Sequence, residues 1–262
     1  MKISLINKNA IIGGSSQGIG EAIAHKFAES GANLLLLARN EDNLKKVISG
    51  LPRSEGQFFD YAVVDFSNLE NLQKVIQQKK SQYGKFHIVV NNTGGPKPAP
   101  AHKSETSDYT AALQMHLLAY HTILQEVVDD MKSEKFGRII NITSVGAKQP
   151  VDNLGVSNAV RGAVSAWSKT LSRELGPHGI TVNNILPGYI NTERLQSLFS
   201  NISERTGKKI SEVVQDKIQE IPAGRLGNAE EIASAACFLA SDFASYVNGI
   251  NFPVDGGLLK SL

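Results

Sequence analysis

Short apolar runs rich in β-favouring residues recur along the chain. They fall at residues 10–13, 33–38, 61–64, 87–91, 138–143, 181–187 and 250–254. Several are apolar throughout instead of alternating with polar positions, the pattern of strands covered on both faces. Between them, apolar positions repeat every three to four residues at 18–29, 41–49, 69–83, 107–131, 156–175 and 229–240, which predicts helices. Seven strands alternating with helices predict an α/β fold: a doubly wound parallel sheet with right-handed crossovers and helices on both faces. No linker-like stretch interrupts the alternation, so residues 1–262 read as one domain. Residues 191–228 break the rhythm and are rich in Ser, Lys, Glu and Asn. An insertion there lies above the carboxyl ends of the strands, as a substrate lid or as a surface helix pair.

Composition narrows the function classes. Of 262 residues, 41% are apolar and 20% charged, enough for one substantial core. The formal net charge of +2 and 6% aromatics argue against nucleic-acid and membrane partners. The longest apolar runs are too short to cross a bilayer, and the first residues form no secretory signal, so a cytoplasmic protein is expected. A single cysteine, Cys237, excludes an intrachain disulfide and reads as buried and inert. His87, His102 and His121 lack partners at ligand spacing, so no metal is expected.

The candidate chemistry begins where the first strand runs into Gly14-Ser15-Ser16-Gln17-Gly18-Ile19-Gly20 and then a helix. Gly14 and Gly18 permit a tight turn close to a pyrophosphate, and Gly20 permits close packing of helix on strand. With Ser16, Gln17 and Ile19, they offer backbone N–H groups at a helix N-terminus, a site for phosphate. This is the pattern of a Rossmann-like dinucleotide fold. The second strand ends Ala38-Arg39. No carboxylate stands there to take a ribose 2′-hydroxyl. The Arg39 guanidinium suits a 2′-phosphate, which points to NADP(H), although an arginine opening a helix can also be merely solvated.

These motifs, with others downstream, make the chain resemble the classical short-chain dehydrogenase/reductases from about residue 9 to 257. Asp65 follows the third strand, where the family holds adenine. Asn91-Asn92-Thr93-Gly94 resembles the family's Asn-Asn-Ala-Gly, and Pro187-Gly188, with Ile190 and Thr192 beyond it, resembles the segment that cradles nicotinamide. Residues 221–227 and 254–257 resemble its C-terminal signatures. The chain looks most like 3-oxoacyl-acyl-carrier-protein reductases and similar carbonyl reductases. The resemblance implies a small-molecule or acyl-chain carbonyl substrate. It also implies a homo-oligomer, a tetramer or dimer, packed through two helices and the C-terminal strand.

The same resemblance places the family's catalytic Asn, Ser, Tyr and Lys at His116, Ser144, Ser157 and Arg161, so that one of the four is retained. Arg161 keeps a positive charge one helical turn from Ser157 and can grip ribose or steady an oxyanion, but it cannot shuttle a proton. An aliphatic hydroxyl is a poor acid, so the proton is expected from water or from His116. An imidazole near neutrality is a credible relay; an ordinary packed helix histidine is the plainer alternative. Tyr189 is a second phenol expected near nicotinamide, and Tyr120 is expected to pack between helices. Two function classes stay open: an NADP(H)-dependent oxidoreductase with an altered proton path, and an inactive NADP(H)-binding homologue serving as sensor or structural partner.

Overall fold

The computed structural model describes residues 2–261. Its seven strands are β1 (Asn9–Gly13), β2 (Asn33–Ala38), β3 (Phe59–Val63), β4 (Ile88–Asn91), β5 (Gly137–Ile142), β6 (Ile180–Pro187) and β7 (Asn251–Val254). They form one sheet in the order β3-β2-β1-β4-β5-β6-β7. Every pairing is parallel. The strand order reverses between β1 and β4, and that switch point opens a crevice at the carboxyl ends of the strands.

The continuous apolar runs have the expected cause. In β1, Ile12 packs into one core layer with Ile23, Phe27 and Ile232, from helices α1 (Gly18–Glu29) and α9 (Ala229–Ala240). Its neighbour Ile11 packs into the other with Leu72 and Val164, from α3 (Leu69–Tyr83) and α6 (Gly155–Leu175). Adjacent residues of one strand serve opposite faces, so neither can be polar. The remaining β2–β3 crossover is α2 (Glu41–Gly50).

Two expectations need revision. The third strand starts at Phe59, two residues before the predicted run, because its register with β2 begins at Leu34↔Phe59. The single helix expected at 107–131 is divided into α4 (Thr106–Leu113), a π-helical turn at Gln114–Leu118 and α5 (Ala119–Glu134). A 3.6-residue hydrophobic period does not register one wide turn, and such turns frequently mark functional sites. Residues 191–228 hold α7 (Glu193–Thr206) and α8 (Ile210–Gln219). Leu195, Phe199 and Val213 give this pair its own small core, and an isolated Ile190↔Gly227 bridge joins its two ends.

A polar rung runs from the buried strand β4 to the edge strand β7, where Asn251 is exposed. Asn91, Asn141, Asn184 and Asn251 stand in register on four successive strands. Asn91 donates to Asn141 Oδ1 at 2.7 Å, Asn141 to Asn184 Oδ1 at 3.0 Å and to Ser168 Oγ at 2.9 Å, and Asn184 to Asn251 Oδ1 at 2.8 Å. Removing one member strands buried partners. Asn141→Ala is therefore expected to cost about 2–3 kcal/mol in urea unfolding, more than its small volume would predict.

Candidate active site

The carboxyl ends of β1, β4, β5 and β6 converge on the crevice. On its β1 side the chain turns at Gly14 and Gly18, whose φ angles of 55° and 60° lie in the left-handed region. A Cβ at Gly20 would sit 2.2 Å from the Gly14 carbonyl oxygen, so helix and loop touch backbone to backbone. Asn92, just past β4, locks this arrangement by donating to the Gly13 and Gly14 carbonyls at 3.1 and 3.2 Å. Gln17 precedes α1 without capping it through its side chain. The first N–H groups of α1 thus lack a side-chain partner from Gln17 at the positive end of the helix dipole. Arg39, at the end of β2, is exposed. Asp65, past β3, is held below the usual carboxylate pKa, first by the Ser67 hydroxyl and less strongly by the Arg39 charge.

A cavity of about 430 Å³ adjoins this loop, with Gln17, Ile19, Asn92, Ser144, Ser157, Arg161, Pro187, Gly188, Ile190 and Thr192 in its wall. Ten of the expected site residues, scattered over 176 positions of sequence, are thereby gathered around one space. Gly14, Ser16, Gly18 and Gly20 form the adjoining loop, Arg39 and Asp65 the strand ends beyond it, and Gly94 the segment after β4. Helix α7 walls the far side with Arg194 and Leu198. A second chamber of about 700 Å³ continues between α7, α8 and residues 149–154. Tyr189 borders both spaces.

His116 is the exception. It is fully buried and does not border the cavity; Thr93 stands between them. Thr93 Oγ1 lies 2.7 Å from His116 Nδ1 and 2.9 Å from the Tyr120 hydroxyl. The Arg161 guanidinium reaches the same group. Its Nη1 donates to the Ile142 carbonyl at 2.7 Å, its Nε has no protein partner, and burial holds the Tyr120 pKa above its ordinary value although the Arg161 charge opposes the rise. The sheet end thus holds a buried phenol beside the Arg161 guanidinium; Arg161 borders the cavity itself, and the phenol reaches it through the Thr93 hydroxyl. Tyr120 packs in the core between helices as expected, and its ring carries a hydroxyl bonded to Thr93, a residue the motif reading does not single out. The available signals were the four-residue spacing of His116 and Tyr120, and Thr93 standing where the resembled motif has alanine.

The near-neutral titration expected of His116 is corrected. Burial, then the charges of Arg161 and Arg194, lower its pKa to about 2, so the imidazole is neutral at ordinary pH. Between about 2 and the unfolded value of 6.5, the unfolded chain binds a proton here that the native one does not. This contribution makes stability rise with pH through that window and fall in acid. Unfolding free energies measured between about pH 5 and 7 are expected to lose part of that slope, up to one proton's worth, in His116→Asn.

No group of three or more His, Cys, Asp or Glu side chains is arranged to hold a metal among the described residues. No helix among them is long and apolar enough to cross a membrane. Cys237 is buried against Ser30, and burial pushes its thiol pKa up.

A family model described as Enoyl-(Acyl carrier protein) reductase matches residues 14–259. The NADPH-dependent reductase BacG of Bacillus subtilis is 33% identical over 97% of this chain and 99% of its own length. The 3-oxoacyl-[acyl-carrier-protein] reductase FabG of Chlamydia muridarum is 32% identical over 98% and 100%. Among solved structures, the L-sorbose reductase of Gluconobacter frateurii, complexed with NADPH and L-sorbose, superposes with a TM-score of 0.93 at 31% identity, covering 100% of both chains.

Proposed function

The chain belongs to the short-chain dehydrogenase/reductase family, and from that membership we propose that it is an NADPH-dependent reductase of a carbonyl substrate. The residues present fit the cofactor. Gly14 and Gly18 hold conformations that side chains disfavour, and the bare α1 N-terminus and Asn92-braced loop form a phosphate cradle. The Gly14–Gly20 loop would hold the pyrophosphate, Arg39 the 2′-phosphate, Asp65 the adenine, and Pro187, Gly188, Ile190 and Thr192 the nicotinamide. When bound, the cofactor supplies a hydride.

The chain supplies the rest. Ser144 and Ser157 border the cavity on adjoining elements and orient the carbonyl oxygen. The proton comes through Thr93: its hydroxyl proton passes to the developing alkoxide while the Tyr120 proton passes to Thr93. The resulting phenolate faces the Arg161 guanidinium, and a proton from solvent restores it. Neutral His116 holds Thr93 in place through Nδ1. The observation that carries this reading is Tyr120 bonded to cavity-lining Thr93 and paired with Arg161, which borders the same cavity. It replaces the phenol and cation that the family places together with a pair drawn from two helices.

Ser157 at the position of the family tyrosine favours a second reading, a non-catalytic NADP(H)-binding sensor or structural partner. NADPH oxidation against a panel of ketones, oxo acids and oxoacyl thioesters separates the two. Saturable NADPH binding without turnover on any of them would establish the second. The fine assignment to 3-oxoacyl thioesters, a soluble cytoplasmic location and a dimer or tetramer through α5, α6 and β7 belong to the same proposal. Arg39→Ala is expected to raise the KM for NADPH about tenfold or more while leaving that for NADH nearly unchanged, since only the 2′-phosphate contact is lost.

A further inference from the structure

We propose that the carbonyl substrate carries a carboxylate, and that Arg194 binds it in the positive field of Arg161. The proposal rests on the reductase reading and names its substrate class. Both guanidiniums border the same cavity. Neither takes part in an ion pair among the described residues. Arg194 is held only by a 3.1 Å bond from Nη1 to the Gly95 carbonyl, and the charge of Arg161 acts against its own. Arg161 is buried and Arg194 exposed at the cavity's edge; like charges facing one space repel, and a bound anion lowers that cost. The one acid in this wall, Glu193, is already bonded to Gln17 Nε2 at 3.1 Å.

The positive excess continues away from the phosphate loop. In the adjoining chamber Lys217 is offset by Glu220 at 2.7 Å, but Arg205 and Lys260 border it without an ion pair, against Asp152 alone. The start of α7 adjoins the glycine loop, since Glu193 bonds Gln17 and Thr192 would stand 3.4 Å from a Cβ at Gly18, whereas the second chamber lies beyond it. A guanidinium reads a carboxylate through paired N–H donors and cannot do the same for an ester.

The test uses the whole protein loaded with NADP+, so that no ligand is reduced during the titration, and matched pairs of acid and ethyl ester: acetoacetate, pyruvate and benzoylformate with their esters. Binding is read by calorimetry, and NADPH affinity is measured in the same preparations. The expected result is at least tenfold tighter binding of one or more acids than of its ester. That preference is expected to vanish in Arg194→Gln, return in part in Arg194→Lys, and leave NADPH affinity within threefold. Equal or better binding of every ester, or no binding of any acid, overturns the proposal. So does a weakened NADPH affinity in Arg194→Gln with the acid preference intact, which would assign the guanidinium to the cofactor's phosphates. Failure of the unsubstituted protein to bind NADPH at all would instead remove the reductase reading itself.

Discussion

Tyr120→Phe is expected to lower kcat by about two to four orders of magnitude, the range of a lost proton donor, with NADPH affinity unchanged within about threefold. The substitution removes one oxygen from a fully buried side chain and leaves its ring in place. Thr93 keeps its 2.7 Å contact with His116, so the local packing has little reason to collapse. What disappears is the acid paired with Arg161. Thr93→Val is expected to produce a similar loss by cutting the link to the cavity at its outer end. The two losses should not add, because both residues act on one proton. Ser157→Ala, by contrast, removes a carbonyl contact and should reduce turnover less. If Tyr120→Phe and Thr93→Val both retained full kcat with oxo acids or ketones, the proton would have to enter from solvent, and the pair would be merely a packing arrangement.

Gly20→Ala is expected to weaken NADPH binding by about tenfold to a hundredfold, corresponding to an overpacking cost of about 1–3 kcal/mol. The new Cβ would meet the Gly14 carbonyl oxygen at 2.2 Å and Asn92 Nδ2 at 2.9 Å. Backbone cannot rotate aside as a long side chain can, so α1 and the glycine loop must separate. That movement breaks the Asn92 bonds to Gly13 and Gly14 and displaces the N–H groups offered to the pyrophosphate. Titration of the variant against NADPH, beside a thermal melt, distinguishes a displaced cradle from a damaged fold. Gly162 offers a control in the middle of α6, where an added Cβ meets nothing within 4 Å. Gly162→Ala should bind NADPH normally and be slightly more stable, from the helix propensity of alanine.

How far the site was legible in the chain depends on the range of the forces involved. The glycine loop could be read because each glycine answers a local demand, a left-handed φ at Gly14 and Gly18 or a close approach at Gly20. The proposal for Arg39 rests on one side chain and an absent carboxylate beside it, both properties of the local sequence. Ser144, Ser157 and Arg161 were legible from motif spacing, and the fold brings them to one cavity wall. The role of His116 was not. An isolated imidazole titrates near neutrality, and only burial beneath Thr93 with two guanidiniums nearby pulls it to about 2. Tyr120 was set aside because a tyrosine on an apolar helix face ordinarily packs, and nothing in its neighbours along the chain names Arg161 as a partner 41 residues away.

By itself the sequence determined the alternation of strands and helices, the two-faced burial of the sheet and the phosphate loop, since these follow from hydrophobic period and from φ preferences carried by neighbouring residues. The tertiary structure decided which charges meet. It set a phenol from one helix beside a guanidinium from another, turned a histidine away from solvent, and brought Arg194 and Arg161 to one cavity. Those outcomes depend on through-space distance and on exclusion of water, neither of which is a property of any short stretch of chain.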